Sequence, residues 1–494
     1  MSQIEAYTLE LLSFYLAEQQ KSLSVERTRI RLSESRSYIP DAIAPDGIDN
    51  RSGETLIEVL GAYRSDRIER VYFQLSQVLN KSNKFNSALI IFAEELPESK
   101  IESIKRDWSS ICKNKELEIW DQRRLNQISK SNIDFFTKVS NNLSTATLKR
   151  AVSYRQSETE WKEIRNERLS RLSEAYKNNN MSLFLGAGVS IAAGMPDWTS
   201  LLDSLFVNLV AKQLDTGIDA RDEEVDDLVK RLRDIDDPSP LMTARYLRRG
   251  IVDSTVGDIE PFLDEVTKTL YRLYDKRGSK TSPLLAALAQ MCIPRRSGPK
   301  VNTVVTYNFD DLFEIELKKY QVQHKSIYRE VDRYSNDDLP VYHVHGFLPR
   351  TKNGYDNLGE ATFVFSEEGY HEVFLDPYHW SNLVQLSQLR DQTCLMAGLS
   401  LTDPNLRRLL EISARKSGFS KHYALMKRMS YEDFAFEQKK KVVSSRKTVV
   451  QKFLDSHHAM KEELFSELGL NIIWYENYDE LSELVNKVQD QNEL

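Results

Sequence analysis

The stretch SLFLGAGVSIAAGMPDW, residues 182–198, constrains the fold more than any other part of the chain. An apolar strand runs into three closely placed glycines and ends on a Pro-Asp-Trp turn, so something must approach this backbone too closely to leave room for side chains. In a parallel α/β sheet the first strand-to-helix turn is such a place, because backbone N–H groups and the positive end of a helix dipole meet an anionic ligand there. Gly186 and Gly188 fit that need. The dehydrogenase fingerprint, G-x-G-x-x-G with an acidic residue closing a second strand about twenty positions later, is not matched by GAGVSIAAG, and hydride transfer is disfavoured.

The rest of the chain continues the alternation. Strand patterns recur at residues 183–185, 303–306, 341–344, 393–396, 422–426 and 471–474, separated by helical segments long enough for crossovers. They predict an α/β fold with a Rossmann-like doubly wound parallel sheet and helices on both faces. The first 140 residues alternate on a smaller scale, with a helix near residues 5–19 and strands near 55–59, 87–92 and 117–121. Between the two, residues 142–180 turn almost wholly polar, with leucines and aromatics spaced for one helix face. We expect a small α/β domain at 1–140, a charged helical connector at 141–165 and a second domain at 166–494 with a helical insertion around 200–300. A chain of 494 residues is long enough for each domain to bury its own core.

Composition acts mainly by exclusion. A net charge of -7 provides no global attraction to nucleic acid or acidic membranes. No apolar run reaches the eighteen or so residues that span a bilayer, and MSQIEAYTLELL lacks the basic-then-apolar order of a secretory signal, so a cytoplasmic protein without membrane contact is expected. Cys112, Cys292 and Cys394 stand far apart with no C-x-x-C pair, which predicts buried thiols and no metal site.

GAGVS followed by GMPDW, then VVTYNFDDL at 304–312, VYHVHG at 341–346 and MAGLSLTDPNLRRLL at 396–410, resemble the sirtuin family in content, order and approximate spacing. The resemblance covers roughly residue 165 onward and looks closest to the bacterial sirtuin-like proteins of antiphage defence. It implies an NAD site in which Gly186, Ala187, Gly188 and Ser190 cradle the phosphates, while Pro196, Asp197 and Trp198 shape the loop over the nicotinamide side. It also implies that Asn308 and Asp310 lie beside the nicotinamide ribose, that His345 is the catalytic histidine, and that Gly398 and Ser400 line the adenosine end, with Asp403 beginning the next helix.

These residue types suit the chemistry. Breaking the nicotinamide–ribose bond develops oxocarbenium character, so the ribose must be held rigidly and a nucleophile delivered to one face. An asparagine can donate to and accept from ribose hydroxyls or water, and a histidine near neutral pKa can accept a proton. Taken without the neighbouring motifs, Asn308 and Asp310 read as helix caps, Trp198 as core packing, and His343 with His345, on one strand face, as a structural or fortuitous metal pair. Protein-deacylating sirtuins carry a zinc module with two C-x-x-C pairs, and this chain has none. The resemblance therefore points to water as acceptor, with NAD as substrate, nicotinamide and ADP-ribose as products, and no zinc. Because such an activity is toxic to its host, a homo-oligomer and control by a partner ATPase or a phage-derived activator are expected.

YIPDAIAPDGIDNRSGETLIEVLGAYRSDRI resembles the core of a restriction-endonuclease-like fold, in which Asp41 or Asp46 and Glu58 would hold a divalent metal. Leu60 stands where the lysine of Glu-x-Lys belongs. The expected domain is non-catalytic, a contact for DNA or a partner, unless Arg64 or Arg67 supplies the missing cation. The competing reading of the whole chain is a DNA nuclease or DNA-binding effector regulated by a nucleotide-binding sirtuin-like module.

Overall fold

The computed structural model describes residues 3–25, 30–31, 37–49, 51, 53–60, 63, 65–82, 84–112, 115–131, 158–214, 227, 231, 240–251, 259–277, 282–417, 420–437 and 440–490. Contacts divide the chain into two units, Met1–Glu167 with Met429–Glu467, and Arg168–Arg428 with Leu468–Leu494.

In the first unit a short antiparallel pair, β1 (Ile30–Arg31) and β2 (Ser37–Tyr38), precedes a four-stranded sheet of β3 (Ala42–Ala44), β4 (Glu54–Leu60), β5 (Phe85–Phe92) and β6 (Glu116–Trp120). β3 runs antiparallel to β4, and β4, β5 and β6 are parallel. ALIIF at the end of β5 is an unbroken apolar run because both sheet faces are covered. Ala88, Ile90 and Phe92 face the helices Ser65–Lys81 and Glu98–Ile111, with Leu75 and Trp108. Leu89 and Ile91 face the helices Gln3–Glu18 and Gln122–Ser131, with Leu12, Leu16 and Leu125.

The second unit holds a seven-stranded, wholly parallel sheet. Its strands are β7 (Met181–Leu185), β8 (Val301–Thr306), β9 (His324–Ile327), β10 (Leu339–His343), β11 (Thr393–Ala397), β12 (His422–Lys427) and β15 (Leu470–Tyr475). Between the last two, the chain passes through the ribbon β13 (Phe436–Glu437) and β14 (Lys440–Lys441) and the helix Lys447–Glu467, which belong to the first unit. The sheet order is β15-β12-β11-β7-β8-β10-β9. The chain thus starts in the middle at β7, passes to β8, goes on to the edge at β9, steps back to fill the gap with β10, and crosses to the other side of β7 at β11. Connections from β7 and β11 leave in opposite directions, and in open α/β sheets the crevice at the carboxyl ends of two such strands is where ligands bind. Leu183 and Leu185 pack with Leu285, Leu288 and Leu484 on one face, while Phe184 is buried on the other, so both faces are covered as a doubly wound sheet requires. Among the described residues, the helices Ala187–Ile191, Trp198–Leu214, Pro240–Ile251, Glu260–Arg277 and Pro283–Met291 lie between β7 and β8.

Candidate active site

The glycine turn after β7 does meet something at close range, and it is the chain's own backbone. Gly186 N–H donates to the Ala397 carbonyl at 2.9 Å and Gly188 N–H to the Gly398 carbonyl at 2.9 Å. A Cβ on Gly188 would stand 2.8 Å from Gly398 Cα, and one on Gly186 would stand 2.6 Å from Gly398 O. Gly398 itself has φ +68, and a Cβ there would run into Val189 N. The two turns at the switch point are locked together, and Ala187 is left exposed at the start of the helix Ala187–Ile191.

Ser190, expected at the phosphates, has its hydroxyl buried and spent elsewhere. The Asn308 side-chain N–H donates to Ser190 Oγ at 3.0 Å, and Ser190 O–H donates to Asp310 Oδ1 at 3.0 Å. The order Asn308, Ser190, Asp310 fixes which way the amide points, leaving Asn308 Oδ1 buried without a hydrogen-bond partner. An unsatisfied buried acceptor costs about 1–3 kcal/mol and asks for a donor. Asp310 also accepts from Leu312 N at 3.1 Å, so the capping role of a strand-to-helix aspartate is present alongside the orienting one. Burial pushes its carboxyl pKa up to about 6.

These groups line a cavity of about 90 Å³ with Ala187, Pro196, Asp197, Trp198, Tyr307 and Phe309. Trp198 serves both as lining and as packing, with its ring edge-on to Phe365 at 4.6 Å between centroids. Asp197 accepts from Ser200 N at 2.8 Å, capping the helix Trp198–Leu214, and Arg277 of the helical insertion donates to the Met195 carbonyl at 2.9 Å. The insertion therefore pins the loop that walls the cavity.

His345 lies beyond the end of β10, next to Tyr307, whose ring is edge-on at 4.6 Å. Its Nε2 is 3.9 Å from Asp403 Oδ2, while Asp403 Oδ1 caps the helix Pro404–Ser417 by accepting from Leu406 N at 2.6 Å. Burial lowers the His345 pKa and Asp403 opposes the shift, which leaves the ring neutral at pH 7. Ser400 is exposed on the same turn, its hydroxyl 2.7 Å from Thr402 Oγ1.

His343 and His345 do not share a strand face, because β10 ends at His343. His343 is fully buried, its Nε2 2.6 Å from Glu314 Oε1 and its Nδ1 3.2 Å from the Asn308 carbonyl. Glu314, in the helix Leu312–Lys319, was not anticipated from the sequence, since a glutamate in EIELKK reads as a solvated helix position.

In the first unit Asp41 Oδ2 accepts from Val59 N at 2.8 Å, and Glu58 accepts from the buried Tyr38 hydroxyl. Asp46 Oδ2 accepts from Ser22 N at 3.0 Å. Leu60 is buried in the core. Arg64 and the side chain of Arg67 lie outside the described residues. Cys112, Cys292 and Cys394 are buried free thiols, and no group of three or more metal-ligating side chains occurs among the described residues. None of the described helices is long and apolar enough to cross a membrane.

Residues 302–447 match the family model of the SIR2-like domain. The chain is also 23% identical over 337 residues to the NAD(+) hydrolase ThsA of Enterococcus faecium, a match covering 65% of this chain and 57% of that protein. It spans little more than half the length of this curated relative.

Proposed function

We propose that this chain, which carries a SIR2-like domain, hydrolyses NAD to nicotinamide and ADP-ribose and so depletes NAD in an abortive-infection response to phage. The observation that carries the reading is an amide with an unpartnered buried acceptor, Asn308, at the same carboxyl edge of the sheet as a neutral imidazole, His345. The similarity to an NAD(+) hydrolase supports it independently.

In this reading a ribose hydroxyl donates to Asn308 Oδ1. The amide is already held by Ser190 and Asp310, so little reorganisation accompanies the reaction. The bond between the anomeric carbon and the nicotinamide nitrogen breaks with its electron pair going to the ring, which discharges the pyridinium. Water bonds to the anomeric carbon and gives its proton to His345 Nε2, an effect typically worth about 10²–10⁴-fold. We assign Gly186, Ala187 and Gly188 to the pyrophosphate side, with Ser190 acting through Asn308. Pro196, Asp197 and Trp198 are assigned to the nicotinamide side, and Gly398, Ser400 and Asp403 to the far edge of the site. We further read the protein as cytoplasmic and homo-oligomeric, and controlled by a partner ATPase or phage-derived activator. Its first unit we read as a non-catalytic restriction-endonuclease-like domain that contacts DNA or a partner.

The test is to incubate the purified full chain with NAD, with plasmid DNA and magnesium, and with an acetylated peptide. Release of nicotinamide and ADP-ribose with intact DNA and peptide is expected. Cut DNA or deacetylated peptide beside untouched NAD would overturn the proposal.

A further inference from the structure

The pair His343 and Glu314 is buried directly behind the Asn308 turn, and the glycosidic chemistry gives it no part. Glu314 comes from the helix that follows the turn, His343 from the end of β10, and Ser326 of β9 donates to the same Glu314 oxygen at 3.0 Å. Phe347 covers the imidazole, with ring centroids 4.0 Å apart. Glu314 is 1% exposed and His343 0%, so an unpaired charge on either would be strongly disfavoured.

The hydrogen bonds fix the protons. A backbone carbonyl only accepts, so the 3.2 Å contact to Asn308 O requires a hydrogen on His343 Nδ1. A single further proton then lies between Nε2 and Glu314 Oε1, and the pair is neutral as a whole wherever that proton rests. Burial acts to raise the Glu314 carboxyl, but the His343 ring, then a backbone hydrogen bond and Ser326, bring it below the ordinary glutamate value. Without Glu314 the ring is free to carry its hydrogen on Nε2 and turn a lone pair on the Asn308 carbonyl, and the turn must then move.

We propose that His343 and Glu314 are positioning residues for NAD cleavage: sharing one proton, they hold the Asn308 carbonyl and thereby set where the Asn308 amide meets the ribose. The inference rests on the NAD-hydrolase reading and adds to it a residue pair that never touches substrate. A displacement of about 1 Å at a reacting centre costs on the order of 10²-fold in rate.

Two substitutions of similar volume separate positioning from packing. In Glu314→Gln the amide donates to Nε2 and so keeps the hydrogen on Nδ1, whereas Glu314→Met fills the space with no donor or acceptor. The full chain and both variants are compared for kcat and KM with NAD, after thermal melts confirm folding. Glu314→Gln should keep a kcat close to that of the parent. Glu314→Met should lose on the order of 10²-fold in kcat with KM little changed, since positioning acts on the transition state. An active parent whose Glu314→Met variant keeps the parental kcat overturns the inference alone. If Glu314→Met does not fold, a Glu314→Gln variant that loses kcat as severely overturns it. A parent that leaves NAD intact both alone and with an extract of phage-infected cells added as activator overturns the NAD reading and this inference together.

Discussion

Asp310 shows how the site taxes the fold. Its pKa rises from 3.8 to about 6 through burial, so the contribution to stability is fully present below the unfolded value and is lost as pH rises through the folded one. At pH 7 the ionised carboxylate therefore costs the native state about 3 kcal/mol. Asp310→Asn keeps acceptors for Ser190 and Leu312 and removes the charge. Denaturant unfolding should show the variant more stable at pH 7, with a gap that narrows toward pH 4, and equal stability at pH 7 would contradict the burial argument. Asn308→Ala should abolish NAD cleavage at matched folded protein, and undiminished turnover would remove Asn308 from the mechanism. For His345 the relevant sign is that a base must be neutral. Because burial lowers its pKa, kcat/KM should be level near neutrality and fall only below about pH 6.5, where the ring and Asp310 take up protons. A base limb rising above pH 7 would assign the proton transfer elsewhere. That Asn308, Asp310 and His345 follow apolar strands placed them at the carboxyl edge, but their proposed roles came from the resemblance to sirtuins and not from that position. The role of Ser190 was not legible, since its partners lie 118 and 120 residues away and only the folded sheet brings them together.

At the scale of elements, the two glycine turns act as one part. Gly398→Ala sets a side chain at φ +68 against Val189 N, and Gly188→Ala sets one 2.8 Å from Gly398 Cα. Gly354 is the natural control, since it has φ +89 but nothing within 4 Å of the place a Cβ would occupy. Gly354→Ala should cost only the left-handed backbone strain of about 1–2 kcal/mol. Gly398→Ala adds overpacking against backbone and should cost about 2–5 kcal/mol, with a matching drop in melting temperature. Equal losses in the two would mean that the turns part easily. The glycines were readable as a site of close approach, but sequence alone could not say that the approaching group is another turn, because that depends on β7 and β11 being neighbours. Strands buried on both faces announced themselves as apolar runs. β9, HKSI, did not, because it lies at the sheet edge and most of its residues are polar or charged.

The chain divides into two units, and the candidate active site lies in the second. That residues 429–467 cluster with the first unit while β12 and β15 on either side pair in the second was invisible in the sequence, where the segment reads as one more crossover. In the first unit the two carboxylates of the nuclease-like motif are engaged as structural acceptors. Asp41 continues the ladder past the end of β3 by accepting from Val59 N, and Glu58 holds the Tyr38 hydroxyl, whose pKa is pushed well up first by burial and then by the Glu58 charge. Leu60, turned into the core, cannot supply a cation to a scissile phosphate. We therefore expect the full-length chain to leave plasmid DNA intact with magnesium, and Asp41→Ala and Glu58→Ala to change nothing in that assay. Both should instead destabilise the unit by about 1–3 kcal/mol, because each leaves a buried donor unpaired. Magnesium-dependent cutting by the parent that disappears in Glu58→Ala would reverse this assignment. It would mean that the carboxylates can exchange their protein donors for a metal, and that a cation from the helix after β4 takes the place of the lysine.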